Sequence, residues 1–251
     1  MKEFYIDSDG IRLHAKLEVP DTNNKCSLLI IVHGFTGNME EEHIVAAAKT
    51  ALEIGFAALR VEMYGHGQSG GEFKNHTLLK WIGNILDVYD YARSLDFVSD
   101  IYLTGHSQGG LLTVLAGGLL GKKLKAIIPL SPAVMIPEEA RNGRMLGMDF
   151  DPDDVPDQLE LFDHVLDGDY PATAQLIHVE DMIRKYDGPV LVVHGTGDEA
   201  VPFRYGKETA EAYRKGRLVV IENANHGYEG HIDEMCEAVR EFLLEMEEDQ
   251  L

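Results

Sequence analysis

The sequence has few cysteines, few basic residues and no long hydrophobic run, and each shortage excludes a class of protein. Cys26 and Cys236 lie far apart, so we expect two separate thiols rather than a disulfide or a cysteine metal site. Only 22 basic residues face 43 acidic ones, which gives a formal net charge of −21. That charge repels phosphate backbones and anionic lipids, so we expect no nucleic-acid and no membrane partner. It also weakly disfavours anionic substrates, so an ester or another neutral compound fits better than a free acid.

No stretch approaches the roughly 20 apolar residues that a membrane span requires. The opening residues, MKEFYIDSDGIRLHAK, contain neither the basic nor the apolar part of a signal peptide, so we expect a cytoplasmic protein. The 251 residues are 45% hydrophobic and 26% charged, which is typical of a globular domain. We expect a single domain over residues 1–251, and the sequence leaves the oligomeric state open, a homodimer included.

Short apolar runs alternate with helical patterns along most of the chain. They predict strands at 28–32, 57–61, 101–104, 126–130, 190–193 and 218–221, and helices at 44–54, 78–95, 111–120, 205–213 and 232–244. Apolar strands separated by helices are typical of a parallel sheet covered on both faces, so the fold class is α/β. Near the start, alternating segments on either side of DSDG predict an antiparallel hairpin at one sheet edge.

Residues 132–185 interrupt this alternation. The strand pattern disappears there, and prolines break up a stretch rich in aspartate and glutamate. A connection of this length far exceeds an ordinary loop, so we expect an inserted lid or substrate-binding subdomain. The alternative is a solvent-exposed insertion without a role in binding.

Residues 105–109 read GHSQG and match the G-x-S-x-G motif, with Ser107 at its centre. In this motif the serine lies on a strained turn between a strand and a helix, and the glycines let the two elements approach closely. A predicted strand precedes the motif and the apolar run LLTVLAGGLL follows it, which is the required context. Ser107 is therefore the candidate nucleophile.

A serine hydroxyl needs a base to accept its proton and an acid to orient that base. In the α/β-hydrolase order, the acid follows the serine and the histidine comes last. Asp198 follows the strand PVLVV within HGTGDEAVP, and His226 follows LVVIENAN. Both positions lie after predicted parallel strands, at the sheet edge where such folds place their sites.

Other assignments stay open at this stage. Asp198 is alternatively a turn or cap residue, with Glu199 as the next candidate acid, and His231 is the rival base. We expect His106 to pack or hydrogen-bond rather than act as the base. His226 and His231 lack a convincing set of partner ligands, so we expect no metal, and the chemistry needs no cofactor.

The tetrahedral intermediate also needs donors for its oxyanion. One is the backbone amide of the residue after the nucleophile, Gln108, and the other comes from the loop after an earlier strand. The strand LLIIV ends in HGFTGN, so the amide of Phe35 is the second candidate, and its side chain also suits the wall of an acyl pocket.

The segments HGFTGN, RVEMYGHGQSGG, GHSQGG, HGTGDEAVP, ENANHG and SPAVMIPEEAR resemble the α/β-hydrolases, and specifically the bacterial cinnamoyl or feruloyl esterases. The resemblance extends over almost the whole chain. It implies an α/β-hydrolase fold, a mostly parallel sheet flanked by helices with an inserted lid, and hydrolysis of small aromatic esters of hydroxycinnamic acids.

The resemblance also implies that the insertion binds the aromatic part of the substrate. Glu139 and Tyr170 are then candidates for the phenolic hydroxyl, and Phe162 for an aromatic wall. Glu139 and Phe162 depart from the aspartate and tryptophan of relatives. Alternative functions are a general carboxylesterase, a thioesterase or an acyltransferase, and, less favoured, a non-catalytic ligand-binding protein on the same fold.

Overall fold

The computed structural model describes residues 1–21, 24–161 and 163–248. Its strands are β1 Lys2–Ser8, β2 Ile11–Glu18, β3 Cys26–Val32, β4 Ala57–Val61, β5 Val98–His106, β6 Ile127–Leu130, β7 Arg144–Met145, β8 Met148–Asp149, β9 Gln158–Leu161, β10 His164–Asp167, β11 Val190–Gly195 and β12 Gly216–Ile221. Its α-helices are α1 Glu42–Glu53, α2 Leu78–Arg93, α3 Gln108–Leu120, α4 Ile136–Arg141, α5 Asp169–Ala174, α6 Val179–Lys185, α7 Arg204–Ala212 and α8 Ile232–Glu248. None of these helices is long and apolar enough to cross a membrane.

Eight strands form one sheet in the order β1-β2-β4-β3-β5-β6-β11-β12. The β1–β2 hairpin is antiparallel, as the sequence predicts, and β2 also pairs antiparallel with β4. The remaining pairs are parallel. The strand order reverses direction at β3, because β4 lies on one side of it and β5 on the other. Open α/β sheets bind their ligands at the carboxyl ends of the strands on either side of such a reversal.

Both faces of the sheet are covered, which explains the continuous apolar strands. Along β3, Leu28 and Ile30 belong to one buried cluster with α2 and α3, whereas Leu29 and Ile31 belong to a second with α1 and α8. Alternate side chains of a strand point to opposite faces, so every residue of β3 is buried.

The segment between β6 and β11 contains more regular structure than its sequence predicts. Besides α4, α5 and α6 it holds two short antiparallel hairpins, β7–β8 and β9–β10. These four strands lie where the sequence shows no strand pattern, so they were not predicted. Strands of two to four residues are too short to display the alternation from which a sequence pattern is recognised.

Candidate active site

Ser107 lies on the sharp turn between β5 and α3, with φ 57° and ψ −116°. Such a backbone conformation costs a residue with a Cβ about 1–3 kcal/mol and persists only when its surroundings hold it. The Ser107 amide donates to the Leu130 carbonyl over 2.9 Å, and its carbonyl accepts from the amides of Leu111 and Ala133 over 3.0 Å each. These bonds hold Ser107 at the carboxyl end of the sheet.

Glycines around this turn let β3, β5 and α3 pack backbone against backbone. A Cβ on Gly105 would collide with the Gly109 carbonyl, and a Cβ on Gly109 would lie 2.5 Å from the Val32 carbonyl oxygen. A Cβ on Gly34 would come within 3.2 Å of the Ser107 Cβ. The loop that follows β3 therefore lies directly against Ser107.

Two histidines fix the backbone of that loop. His33 donates from Nδ1 to the Gly34 carbonyl over 2.8 Å and accepts at Nε2 from the Met63 amide over 3.0 Å. Nε2 of His66 contacts the Phe35 carbonyl. The Phe35 amide donates no hydrogen bond to a protein acceptor among the described residues. Since both carbonyls have partners, the orientation of the Phe35 peptide is set by the protein.

Gln108 is the first residue of α3, where backbone amides lack an acceptor within the helix. Its side chain is fully buried, and Oε1 accepts a hydrogen bond of 2.6 Å from the Tyr170 hydroxyl. The Tyr170 ring lies on α5, 5.9 Å from the ring of Phe35 and 5.1 Å from that of His76. A residue of the inserted segment thus packs against both candidate oxyanion residues, a contact that the sequence did not predict.

His226 and Asp198 form a hydrogen bond although they lie on different loops. Nδ1 of His226 donates to Oδ2 of Asp198 over 2.8 Å. The other carboxylate oxygen, Oδ1, accepts from the amides of Ala200 and Val201 over 3.0 and 2.8 Å. With its hydrogen on Nδ1, the imidazole keeps Nε2 free to accept a proton.

Burial of Asp198 raises the pKa of its carboxyl, but hydrogen bonds from His194 and His226 and the Val201 amide outweigh that effect. The net result is a pKa well below the usual range for aspartate. Asp198 is therefore a carboxylate at neutral pH, suited to stabilising a protonated imidazole.

The His226 loop is held against the turn that carries Ser107. Nε2 of His106 donates to the His226 carbonyl over 2.7 Å, and the centroids of their rings are 4.5 Å apart. The centroid of the His43 ring lies 4.2 Å from that of the His106 ring. Burial, with the neighbouring His43 and His226, holds the pKa of His106 far below its usual value. His106 is thus a packing and hydrogen-bonding residue, as expected. No motif in the sequence indicated that His43 packs beside it.

The alternative acid and base lie elsewhere. Glu199 is exposed, and Nδ1 of His231 contacts Glu234 of α8 over 2.9 Å. His226 rather than His231 therefore pairs with Asp198. Over 1–21, 24–161 and 163–248, no cluster of three or more histidine, cysteine, aspartate or glutamate side chains could hold a metal ion.

The three residues predicted to contact the aromatic part of a substrate differ in their surroundings. Tyr170 is fully buried with its hydroxyl bonded to Gln108. Glu139, on α4, is half-buried; partial burial raises its carboxyl pKa, while Arg144 and Arg204 act to lower it. Phe162 lies outside the described residues.

A mostly parallel eight-stranded sheet with a strained serine turn after β5 is the architecture of an α/β-hydrolase. Comparison with protein families agrees: residues 23–150 match the model described as serine aminopeptidase, S33, and residues 169–250 match that of the TAP-like protein. The chain belongs to the α/β-hydrolases and, by the structural matches below, to their feruloyl esterase family.

A structure of Est1E from Butyrivibrio proteoclasticus with ferulic acid bound is 53% identical in sequence and superposes with a TM-score of 0.95, covering 97% of this chain and 98% of that one. A second Est1E structure is 51% identical, with a TM-score of 0.92 and the same coverage. Human ABHD12B is 24% identical over 86% of this chain, which spans only 60% of that protein.

Proposed function

We propose that this protein is a serine esterase that hydrolyses hydroxycinnamate esters, such as feruloyl esters, of sugars or small alcohols. The observation that carries the proposal is the 53% identity and 0.95 TM-score with Est1E, whose structure holds ferulic acid. Acidic charge on the chain also favours a neutral ester as substrate and an anionic acid as departing product.

In the first half of the reaction, the Ser107 hydroxyl attacks the ester carbonyl and His226 accepts its proton at Nε2. The 2.8 Å bond from Nδ1 to Asp198 supports this role, because it sets the tautomer and orientation of the imidazole. The ionised Asp198 then stabilises the imidazolium.

The amides of Phe35 and Gln108 stabilise the oxyanion. Close packing of Gly34 against Ser107 and the start of α3 at Gln108 support this assignment. Loss of one such donor typically costs a serine hydrolase about 10²–10³ in kcat.

His226 then protonates the departing alcohol, which leaves Ser107 acylated. In the second half of the reaction, the same imidazole takes a proton from a water molecule as the water attacks the carbonyl of the acyl-enzyme. The bond between the acyl carbon and Ser107 Oγ then breaks, His226 returns its proton to Oγ, and the carboxylic acid is released. Apart from this water, the steps use only groups of this chain.

We propose that residues 132–185 form a lid over the acyl site, with Glu139 and Tyr170 at the phenol end of the substrate. Contact between Tyr170 and Gln108 supports a lid position near Ser107. Because Tyr170 is fully buried, its contact with a substrate requires a rearrangement of the groups that cover it.

The experiment is steady-state hydrolysis of methyl ferulate, caffeate, coumarate and sinapate, compared with short aliphatic nitrophenyl esters. We expect the hydroxycinnamates to give the higher kcat/KM and Ser107→Ala to lose activity by orders of magnitude while remaining folded. Ser94→Ala, at an exposed helix end, is the matched control and should keep full activity.

Other outcomes identify the alternatives. A preference for aliphatic esters would indicate a general carboxylesterase, and faster turnover of acyl thioesters a thioesterase. Transfer of the acyl group to added alcohols in preference to water would indicate an acyltransferase. Failure of a fluorophosphonate probe to label Ser107, with no turnover of any ester, would favour a non-catalytic binding protein.

We further propose a cytoplasmic location, and the oligomeric state, a homodimer included, is open to measurement. The free state of Cys26 and Cys236 supports a reducing compartment. Fractionation of the source cells tests the location, and light scattering of the purified protein tests the oligomeric state.

A further inference from the structure

His194 lies near the end of β11, four residues before Asp198, and its side chain is completely buried. Its Nε2 lies 2.9 Å from the Val201 carbonyl oxygen and 3.2 Å from Oδ2 of Asp198. The Asp198 carboxylate therefore lies between two imidazoles, those of His226 and His194.

The surroundings of His194 decide which of its nitrogens carries the hydrogen. Nδ1 is buried and has no hydrogen-bond partner among the described residues. Gly206 of α7 packs against that side of the ring so closely that a Cβ there would overlap Nδ1. A hydrogen on Nδ1 would lack an acceptor, so the N–H of the ring is at Nε2, which is bonded to the Val201 carbonyl and faces Asp198.

Both oxygens of Asp198 face N–H groups. Oδ1 accepts from the Ala200 and Val201 amides, whereas Oδ2 accepts from His226 and lies 3.2 Å from Nε2 of His194. The amides belong to the loop of Asp198 itself, whereas His194 belongs to a strand paired on both sides, with β6 and β12. His194 therefore places the Asp198 carboxylate in contact with the sheet.

We infer that His194 is a positioning residue for the reaction: it holds Asp198 in the orientation that directs Oδ2 at His226. It touches no reacting atom, and it acts through Asp198. The inference rests on the proposed function only in that Ser107, His226 and Asp198 are taken as the catalytic groups. It does not depend on hydroxycinnamates being the substrate.

The test compares His194→Met, which fills the space without a donor, with His194→Gln, whose Nε2 can donate at a similar distance. Val192→Ala, on the same strand and facing the same buried cluster, is the control for lost packing. Kinetics use a short nitrophenyl ester, and proton NMR follows the low-field resonance of the hydrogen between His226 and Asp198.

We expect His194→Met to lower kcat by roughly 10- to 100-fold with little change in KM. This is the size of effect typical when a residue that orients a metal ligand is replaced, and His194 orients Asp198 in a comparable way. Its low-field resonance should shift or broaden. His194→Gln should recover most of kcat and the resonance, and Val192→Ala should keep both. If His194→Met does not fold, Gly206→Ala, which crowds the ring from its Nδ1 side, should show the same loss and the same shift.

Wild-type kcat and an unmoved resonance in a folded His194→Met protein would overturn the inference. Equal losses in His194→Met, His194→Gln and Val192→Ala would also overturn it, because they would indicate packing alone. Failure of the proposed function is a separate result: a wild-type protein that turns over nitrophenyl esters but no hydroxycinnamate rejects the substrate and leaves the test of His194 intact.

Discussion

The Tyr170 hydroxyl donates to Oε1 of Gln108 over 2.6 Å, which joins the inserted segment to the residue after Ser107. Both side chains are fully buried, and Nε2 of Gln108 has no partner among the described residues. Buried polar groups are costly when unpaired, so this single bond both fixes α5 and orients the side chain of Gln108.

Replacing Tyr170 by phenylalanine removes the only hydrogen-bond partner that Oε1 of Gln108 has among the described residues. We expect the free energy of unfolding to fall by about 1–3 kcal/mol and kcat to decrease. Tyr186→Phe is the matched control, because its buried hydroxyl makes only a long bond of 3.4 Å to the Leu124 carbonyl. Equal urea midpoints for the two variants would contradict the prediction.

Gly109 and Gly83 both lie inside helices but differ in the space around them. A Cβ on Gly109 would lie 2.5 Å from the carbonyl oxygens of Val32 and His33, whereas Gly83 has open space. We expect Gly109→Ala to destabilise the fold by about 1–3 kcal/mol through overpacking and to slow fluorophosphonate labelling of Ser107. Gly83→Ala should instead stabilise it by up to about 1 kcal/mol and leave labelling unchanged. Urea unfolding measures both, and a stable, rapidly labelled Gly109→Ala protein would disprove the proposed close contact.

Buried histidines should make stability fall in mild acid. Burial, with neighbouring charges, lowers the pKa of His33 and His76 to about 3 and that of His43 to about 4. Below about pH 6.5 these histidines bind protons in the unfolded chain but stay neutral in the folded protein. The free energy of unfolding therefore declines as pH falls toward 4. Each such proton contributes about 1.4 kcal/mol per pH unit.

Urea unfolding followed by the fluorescence of Trp81, the chain's one tryptophan, measures this slope between about pH 7 and pH 5. His76→Gln removes one of these groups, so the free energy of unfolding should change less steeply with pH, by close to the contribution of one proton. Asp198, whose pKa is lowered, loses its contribution only below its unfolded value near 3.8, outside this range. A free energy of unfolding that does not change over the range would refute the assignment of neutral buried histidines.

His14 lies buried between two carboxylates, with Nδ1 2.8 Å from Glu62 and Nε2 2.7 Å from Glu3. Glu62 also accepts from the Gln68 amide over 2.6 Å. We expect Glu62→Gln to lower the free energy of unfolding by about 1.5–3 kcal/mol, the usual value of a hydrogen bond to a charged group. Glu72→Gln, whose exposed carboxylate pairs with a lysine, should cost less than about 1 kcal/mol. Thermal denaturation compares the two, and equal shifts would count against a structural role for Glu62.

The local sequence pattern was sufficient to predict the strands and helices of the main sheet and its covering layers. The strands and helices predicted outside residues 132–185 are all present, with ends that differ by a few residues, because apolar runs and 3.6-residue periodicity directly reflect burial on a covered sheet. The length and prolines of residues 132–185 indicate an insertion, but the sequence does not predict its hairpins, because strands that short carry no periodicity.

The sequence by itself determined the α/β class, the turn at Ser107 and the chain order of serine, aspartate and histidine, since these depend on neighbouring residues and on glycine's lack of a side chain. Only the tertiary structure decided that His226 rather than His231 pairs with Asp198, that His194 shares that carboxylate, and that Tyr170 binds Gln108. Two of those contacts join segments that are distant along the chain. The third, between His194 and Asp198, depends on how the loop after β11 folds back on that strand. Their geometry therefore exists only once the sheet has assembled and its loops have been brought together.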